Sequence, residues 1–266
     1  MQTWACYMIK DKDIRYKYIL ENKEFFKQGI FLNEYDINCK NRIDFALFKD
    51  GTFIGYEIKS EADNLKRFIP QLRTYLRFFN FLYLIVHRKH SDEVYRLLKL
   101  YKLDKIGIIL VGDDISFLED RKALPDNSIN KLNSLLRNLK NEDLINLCKV
   151  NKIKYFSNVK EALVARLIGK ITIEEVLRYL TNRLTATYVS LCPHCKSNLT
   201  FKTHTLINKN ISEKKVNPSK KMIKNTFWEI KISVKISRCI ECGYEFNHHE
   251  GTEISRILKS TEETKL

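Results

Sequence analysis

Asp44, Glu57 and Lys59 stand out because they share one alternation phase of a short β-type stretch, "RIDFALFKDGTFIGYEIKS" at 42–60. A half-exposed hairpin ordinarily scatters its charges. Two carboxylates within one ion's reach suit a hard divalent cation such as Mg²⁺, which takes oxygen ligands and keeps several waters. An ammonium beside them can stabilise negative charge growing on a phosphate. The competing reading is a solvated strand face, on which Arg42 and Lys59 neutralise Asp44 and Glu57 diagonally.

The turn decides which residues meet. Asp50 and Gly51 can both take the positive φ of a two-residue type I′ turn. That loop pairs Lys49 with Thr52, and further along it sets Asp44 across from Glu57 and Arg42 across from Lys59. Ile43, Phe45, Leu47, Ile54, Tyr56 and Ile58 then fall on the other face, against helices. Like charges opposed on a sheet destabilise it by about 0.2–1 kcal/mol per pair. A bound cation would turn that cost into a site.

The elements that must position the hairpin are read from apolar spacing. Residues 12–27 form a helix, 29–38 a strand, and 60–80 a second helix with Ser60 as N-cap and Asp63 three residues on. The stripe of that helix is Leu65, Phe68, Ile69, Leu72, Leu76 and Phe79, and Pro70 should kink it. "FLYLIV" is a strand buried on both faces, 91–102 a helix, and "KIGIILV" another buried strand. The result is a mixed α/β core in the order α, three strands, α, strand, α, strand, ending near residue 125.

That order, Asp44, and Glu57-Ile58-Lys59 together resemble the PD-(D/E)xK nuclease superfamily. Gln71-Leu-Arg-Thr-Tyr75 is similar to the QxxxY element of its RecB-type members. The resemblance spans residues 12 to 120 and implies a restriction-endonuclease-like sheet and Mg²⁺-dependent (or Mn²⁺-dependent) hydrolysis of DNA phosphodiesters, endonucleolytic in preference to exonucleolytic. It implies Asp44 and Glu57 as metal ligands, the Ile58 carbonyl completing the site, and Lys59 as the catalytic lysine. Gln71 and Tyr75 would position the scissile phosphate or water. The family also adds an upstream glutamate. Glu24 on the helix and Glu34 on the first strand both qualify, and Glu34 is preferred. His87 and His90 follow the buried strand and read chiefly as strand-end residues.

Composition agrees with a polyanion as partner. The 266 residues carry 47 Lys and Arg against 32 Asp and Glu, a net charge of +15. Residues 126–185 read as helices without strand signals. Within them, "DLINLCKVNKIKYFSNVKEALVARLI" at 143–168 resembles the helix–link–helix of SAP-type DNA-binding motifs, with a plain helical hairpin as the alternative. Residues 186–266 hold two CxxC pairs, Cys192/Cys195 and Cys239/Cys242. Four thiolates at such spacing make a closed tetrahedral site for one structural Zn²⁺, and the flanking β-rich stretches resemble a zinc ribbon. No apolar run is long enough to span a bilayer and no basic, apolar leader opens the chain, so the expectation is a cytoplasmic protein without a membrane partner. A homodimer is compatible with this reading. So are two alternatives: a non-catalytic DNA-binding or regulatory protein that keeps the fold, and an RNA-directed nuclease.

Overall fold

Helical spacing in "DKDIRYKYILENKEFF" buries Ile14, Ile19 and Phe26 along α1 (Asp11–Glu21) and α2 (Lys23–Phe26). Asn22 separates the two by turning its side-chain amide onto the Tyr18 carbonyl at 2.8 Å. A computed structural model describes residues 8–38, 41–189, 191–217, 222–257 and 264–265. It divides into two compact units, Met1–Ser190 and Leu191–Leu266.

The first unit is a mixed α/β structure around a six-stranded sheet. Its strands are β1 (Ile30–Asn38), β2 (Asn41–Lys49), β3 (Thr52–Lys59), β4 (Phe81–His87), β5 (Gly107–Val111) and β6 (Phe117–Arg121), lying side by side in sequence order. β1, β2 and β3 are antiparallel neighbours, β3–β4–β5 are parallel, and β6 returns antiparallel. Parallel neighbours require crossovers, supplied by α3 (Phe68–Tyr75) and α4 (Ser91–Leu100).

Both faces of the central strands are covered, which is why β5 and β4 as far as Val86 carry no charged side chain. One face is aromatic. Phe45, Tyr56 and Tyr83 stack in succession, with ring centroids 4.7 and 5.4 Å apart, and Tyr18 of α1 and Phe26 of α2 pack on them. The opposite face presents Ala46, Phe53, Leu82, Leu84 and Val86 to Phe68 and Leu72 of α3. The same apolar cluster continues into α5 (Leu132–Asn138), α6 (Asn141–Val150), α7 (Lys160–Leu167) and α8 (Ile173–Tyr188) through Leu135, Leu144, Leu163 and Leu180. Residues 126–185 therefore share a core with the sheet.

The helix expected over 60–80 is shorter. The Asp63 carboxylate accepts from both the Ser60 N–H (2.7 Å) and the Ser60 hydroxyl (2.6 Å). That closes a turn, and α3 begins only at Phe68. Pro70 is then in the first helical turn, where its missing N–H leaves no bond unmade, and no kink is needed. The edge strand β6 follows no recognisable pattern, since most of its side chains are exposed.

The second unit pairs β7 (Thr200–Asn217), β9 (Glu245–Ile257) and β10 (Thr264–Lys265) antiparallel with β8 (Met222–Cys239). Among the described residues no helix is long and apolar enough to cross a membrane.

Candidate functional site

Asp50 (φ +50) and Gly51 (φ +75) both take the left-handed conformation of a type I′ turn. The pairing runs as expected from Lys49–Thr52 to Phe45–Tyr56, and there the β2–β3 ladder ends. On the other side of β2, Asn33 pairs with Phe45 and Tyr35 with Ile43, while Glu34, at φ +49, is skipped. The alternation inverts at this point. Phe45 belongs to the aromatic face, whereas Ile43, expected beside it, crosses to the α3 side. There its Cδ1 would lie 2.7 Å from a Cβ placed on Gly55.

Asp44 occupies the inversion. Its Oδ2 accepts the Ile58 N–H at 2.6 Å, so a carboxylate takes the place of the strand partner. The direct ladder opposition of Asp44 and Glu57 is thus replaced by a fork between β2 and β3. The Ile58 N–H, beside the carbonyl that the resemblance assigns to the metal, thus holds Asp44 in place.

Glu57 and Lys59 follow on β3, both buried, with Lys59 Nζ donating to Glu57 Oε1 at 2.7 Å. Glu57 Oε2 is buried without a hydrogen-bond partner among the described residues. Tyr75, on the last turn of α3, donates its hydroxyl to the Arg42 carbonyl at 2.9 Å. Burial, the nearby Glu57 and Asp44 charges and the closeness of its hydroxyl to the Glu57 carboxylate push its pKa upward. Gln71 lies one turn earlier on the same helix, half-buried.

Two residues that sequence reasoning missed complete the group. Arg15 of α1 is buried and pairs with Asp11. It also donates to Asn33 Oδ1 at 3.0 Å, reaches Glu34 Oε1 at 3.4 Å and sits 3.6 Å from Asp44 Oδ1. Asp11 Oδ1 is a second buried carboxylate oxygen without a hydrogen-bond partner among the described residues. The sequence signal was present: Asp11 and Arg15 are i,i+4 on a helix whose core-facing positions include Ile14 and Ile19. Glu34 is paired with cations, Arg15 on one oxygen and Arg42 on the other at 3.1 Å. Glu24 pairs with Lys27 and is 75% exposed. His87 caps the short 3₁₀ turn that follows β4, its Nδ1 accepting the Lys89 N–H at 3.4 Å.

The electrostatics follow from this crowding. Burial, then the Glu57 and Asp11 charges, hold the Asp44 carboxyl well above its ordinary pKa, against the pull of Arg15 and the Ile58 N–H. Glu57 is raised by burial, partly offset by Lys59. Burial lowers Lys59, but contact with Glu57 outweighs it and leaves the ammonium above its usual value. One oxygen of Glu57 remains for a cation, and Asp44 Oδ1 makes only the long Arg15 contact. Both are hard donors, the set a Mg²⁺-class ion takes.

A separate cluster lies in the second unit. The Cys192–Cys242 and Cys195–Cys239 sulfurs are 3.7 and 3.5 Å apart, and all four lie within 4.8 Å of one another. Four thiolates on a tetrahedral ion at about 2.3 Å stand about 3.8 Å apart, so the cluster can hold a metal. The knuckles match: Lys196 N–H closes on Cys192 O at 2.9 Å and Gly243 N–H on Cys239 O at 3.0 Å. Lys196 and Gly243 are both left-handed (φ +62 and +69), as the turn after a CxxC requires. Burial opposes ionisation of Cys192, but the Cys195 and His194 N–H groups aimed at its sulfur bring its pKa down to about 7. Burial raises Cys239 to about 12 in the absence of metal charge. His194 stacks on Tyr244, ring centroids 5.7 Å apart. His248 and His249 pair along β9 with Lys235 and Val234.

Residues 16–203 match the model of the family described as bacteriophage P4 protein cII. The matched span takes in Glu34, Asp44, Glu57, Lys59, Gln71, Tyr75, Cys192 and Cys195, and leaves out Asp11, Cys239 and Cys242. No curated protein and no solved structure matches the chain.

Proposed function

The chain belongs to the family of bacteriophage P4 protein cII, and we propose that it is a metal-dependent nuclease that hydrolyses DNA phosphodiesters at the β2–β3 fork. The observation that carries this reading is the buried Glu57. One of its oxygens is bound to Lys59, the other makes no close hydrogen bond among the described residues, and its charge helps to hold the neighbouring Asp44 carboxyl above its ordinary pKa. Holding a buried and a half-buried carboxylate together is costly, and Lys59 and the distant Arg15 leave one oxygen of each open to a further cation. The arrangement is consistent with a restriction-endonuclease-like core.

Asp44 Oδ1 and Glu57 Oε2 would hold Mg²⁺ or Mn²⁺. Such an ion supplies positive charge at the scissile phosphate and makes a bound water more acidic. Lys59, fixed by Glu57 and kept protonated, faces the charge that develops on the phosphate oxygens. Tyr75 and, one turn earlier, Gln71 orient the phosphate or the attacking water. The water oxygen bonds to phosphorus and the bond to the 3′ oxygen breaks. The departing oxygen gains a proton, leaving a 3′-hydroxyl and a 5′-phosphate. In the second unit the four thiolates hold a structural Zn²⁺, since a closed Cys₄ set leaves no position for substrate.

Purified protein incubated with supercoiled plasmid, end-labelled linear DNA and RNA, with and without Mg²⁺ or Mn²⁺, tests this. The expected result is metal-dependent cleavage of DNA, with the circular substrate cut, as an endonuclease requires. Cleavage of RNA alone would reassign the substrate. Salt-dependent DNA binding without turnover would replace the nuclease by a DNA-binding protein that keeps the fold.

A further inference from the structure

We propose that the link between α6 and α7 is a binding surface for an unpaired strand of nucleic acid, with Phe156 as the platform on which a base stacks. Phe156 is the most exposed large apolar side chain among the described residues, at 89%. It is not on a frayed segment. The Ile153 N–H closes on Cys148 O at 2.8 Å and the Lys152 N–H on Lys149 O at 3.1 Å, with Lys152 left-handed at φ +53. Asn141 donates to Asn158 O at 3.0 Å, and Arg166 Nε to Lys154 O at 2.9 Å. Between these anchors the chain is neither helix nor strand, with a bend at Phe156, and burial alternates residue by residue. Ile153 and Tyr155 pack on the core, while Lys152, Lys154, Phe156 and Asn158 are exposed.

That alternation leaves two lysine side chains and the Phe156 ring exposed within five consecutive residues, with Ile153 and Tyr155 between them turned to the core. The Arg166 guanidinium lies over the Phe156 ring, 5.9 Å from its centroid, adding a planar cation to one face. Over residues 149–170 there are six Lys or Arg and one Glu. A surface that combines an exposed aromatic face with one-sided positive charge matches a ligand with flat, unstacked rings on a polyanionic backbone. In a duplex the base faces are already stacked on one another, so the ring has its partner only in a single strand. Because the link is held at both ends, little ordering entropy is lost when a base lands on it.

The surface is independent of the fork, and its test needs no cleavage. In magnesium-free buffer, fluorescence anisotropy of the full chain is measured with a labelled oligothymidylate, an oligouridylate of equal length and a blunt duplex. Tighter binding of the single strands than of the duplex is expected. Phe156→Ala should weaken single-strand binding about 10-fold, with duplex binding and thermal unfolding unchanged, and Phe156→Trp should restore it. Replacing Lys152 and Lys154 together by Gln should flatten the salt dependence by about 1.4 in slope for a single strand. The thymidylate and uridylate arms show whether the strand is DNA or RNA. Unchanged single-strand affinity in Phe156→Ala overturns the proposal. So does self-association of the chain that Phe156→Ala abolishes while oligonucleotide binding stays intact, which would assign the surface to a second copy.

Discussion

Asp44 sits where burial and neighbouring carboxylates both favour its protonated form. The consequence for stability has a definite sign. A carboxyl with its pKa raised by folding contributes stability below its unfolded pKa, and that contribution is lost as pH rises through the folded value. The metal-free protein should therefore melt at progressively lower temperature as pH climbs from the ordinary carboxylate range toward the raised pKa of Asp44. Mg²⁺ held there as proposed would bind the ionised form, so its stabilising shift should grow over the same window. Asp44→Asn can still accept the Ile58 N–H. It should flatten the pH dependence and abolish the Mg²⁺ shift, both readable by differential scanning calorimetry. A Mg²⁺ shift that survives in Asp44→Asn would remove Asp44 from the site.

The hairpin shows how local and tertiary information divide. Its turn is local: Asp50-Gly51 needs positive φ twice, and Gly51 adopts it at +75. Gly51→Ala should cost about 1–2 kcal/mol, aggravated because the new Cβ would approach Leu177 Cδ1 to 2.9 Å. Urea unfolding should register this as a lower midpoint with unchanged slope. The register from Lys49 to Phe45 was legible for the same reason. The inversion at Asp44 was not, because it depends on Glu34 adopting a left-handed backbone that a non-glycine residue takes only when its surroundings compensate. Those surroundings, Arg15 and Arg42, lie far apart in the chain. Asp11 escaped notice likewise, since its reach to the fork depends on how α1 packs on the sheet. Ser60 and Asp63 make one bond of a capping box, the Ser60 N–H to the Asp63 carboxylate, but the Asp63 N–H goes to the Ser60 carbonyl and closes a turn in place of starting a helix.

At the scale of the whole molecule, α8 packs beside β1, with Tyr188 on Tyr35, and Leu135, Leu139 and Leu180 line one cavity with Phe53 and Phe79, so a chain ending at residue 125 would expose Tyr35, Phe53 and Phe79. Such a fragment should fail to unfold cooperatively and should bind hydrophobic dyes, whereas residues 1–190 should fold alone. In the second unit, the full chain should carry one tightly held metal equivalent, lost on Cys239→Ser and detectable by elemental analysis. The central claim is the chemistry at the fork, and single-turnover cleavage of a labelled DNA with saturating Mg²⁺ tests it most directly. Wild-type protein should cut only with the metal. Glu57→Ala should be inactive, and Lys59→Ala should be slowed about 100-fold or more, with both variants still binding the DNA. Cleavage without divalent metal, or wild-type rates in Glu57→Ala and Lys59→Ala, would contradict it.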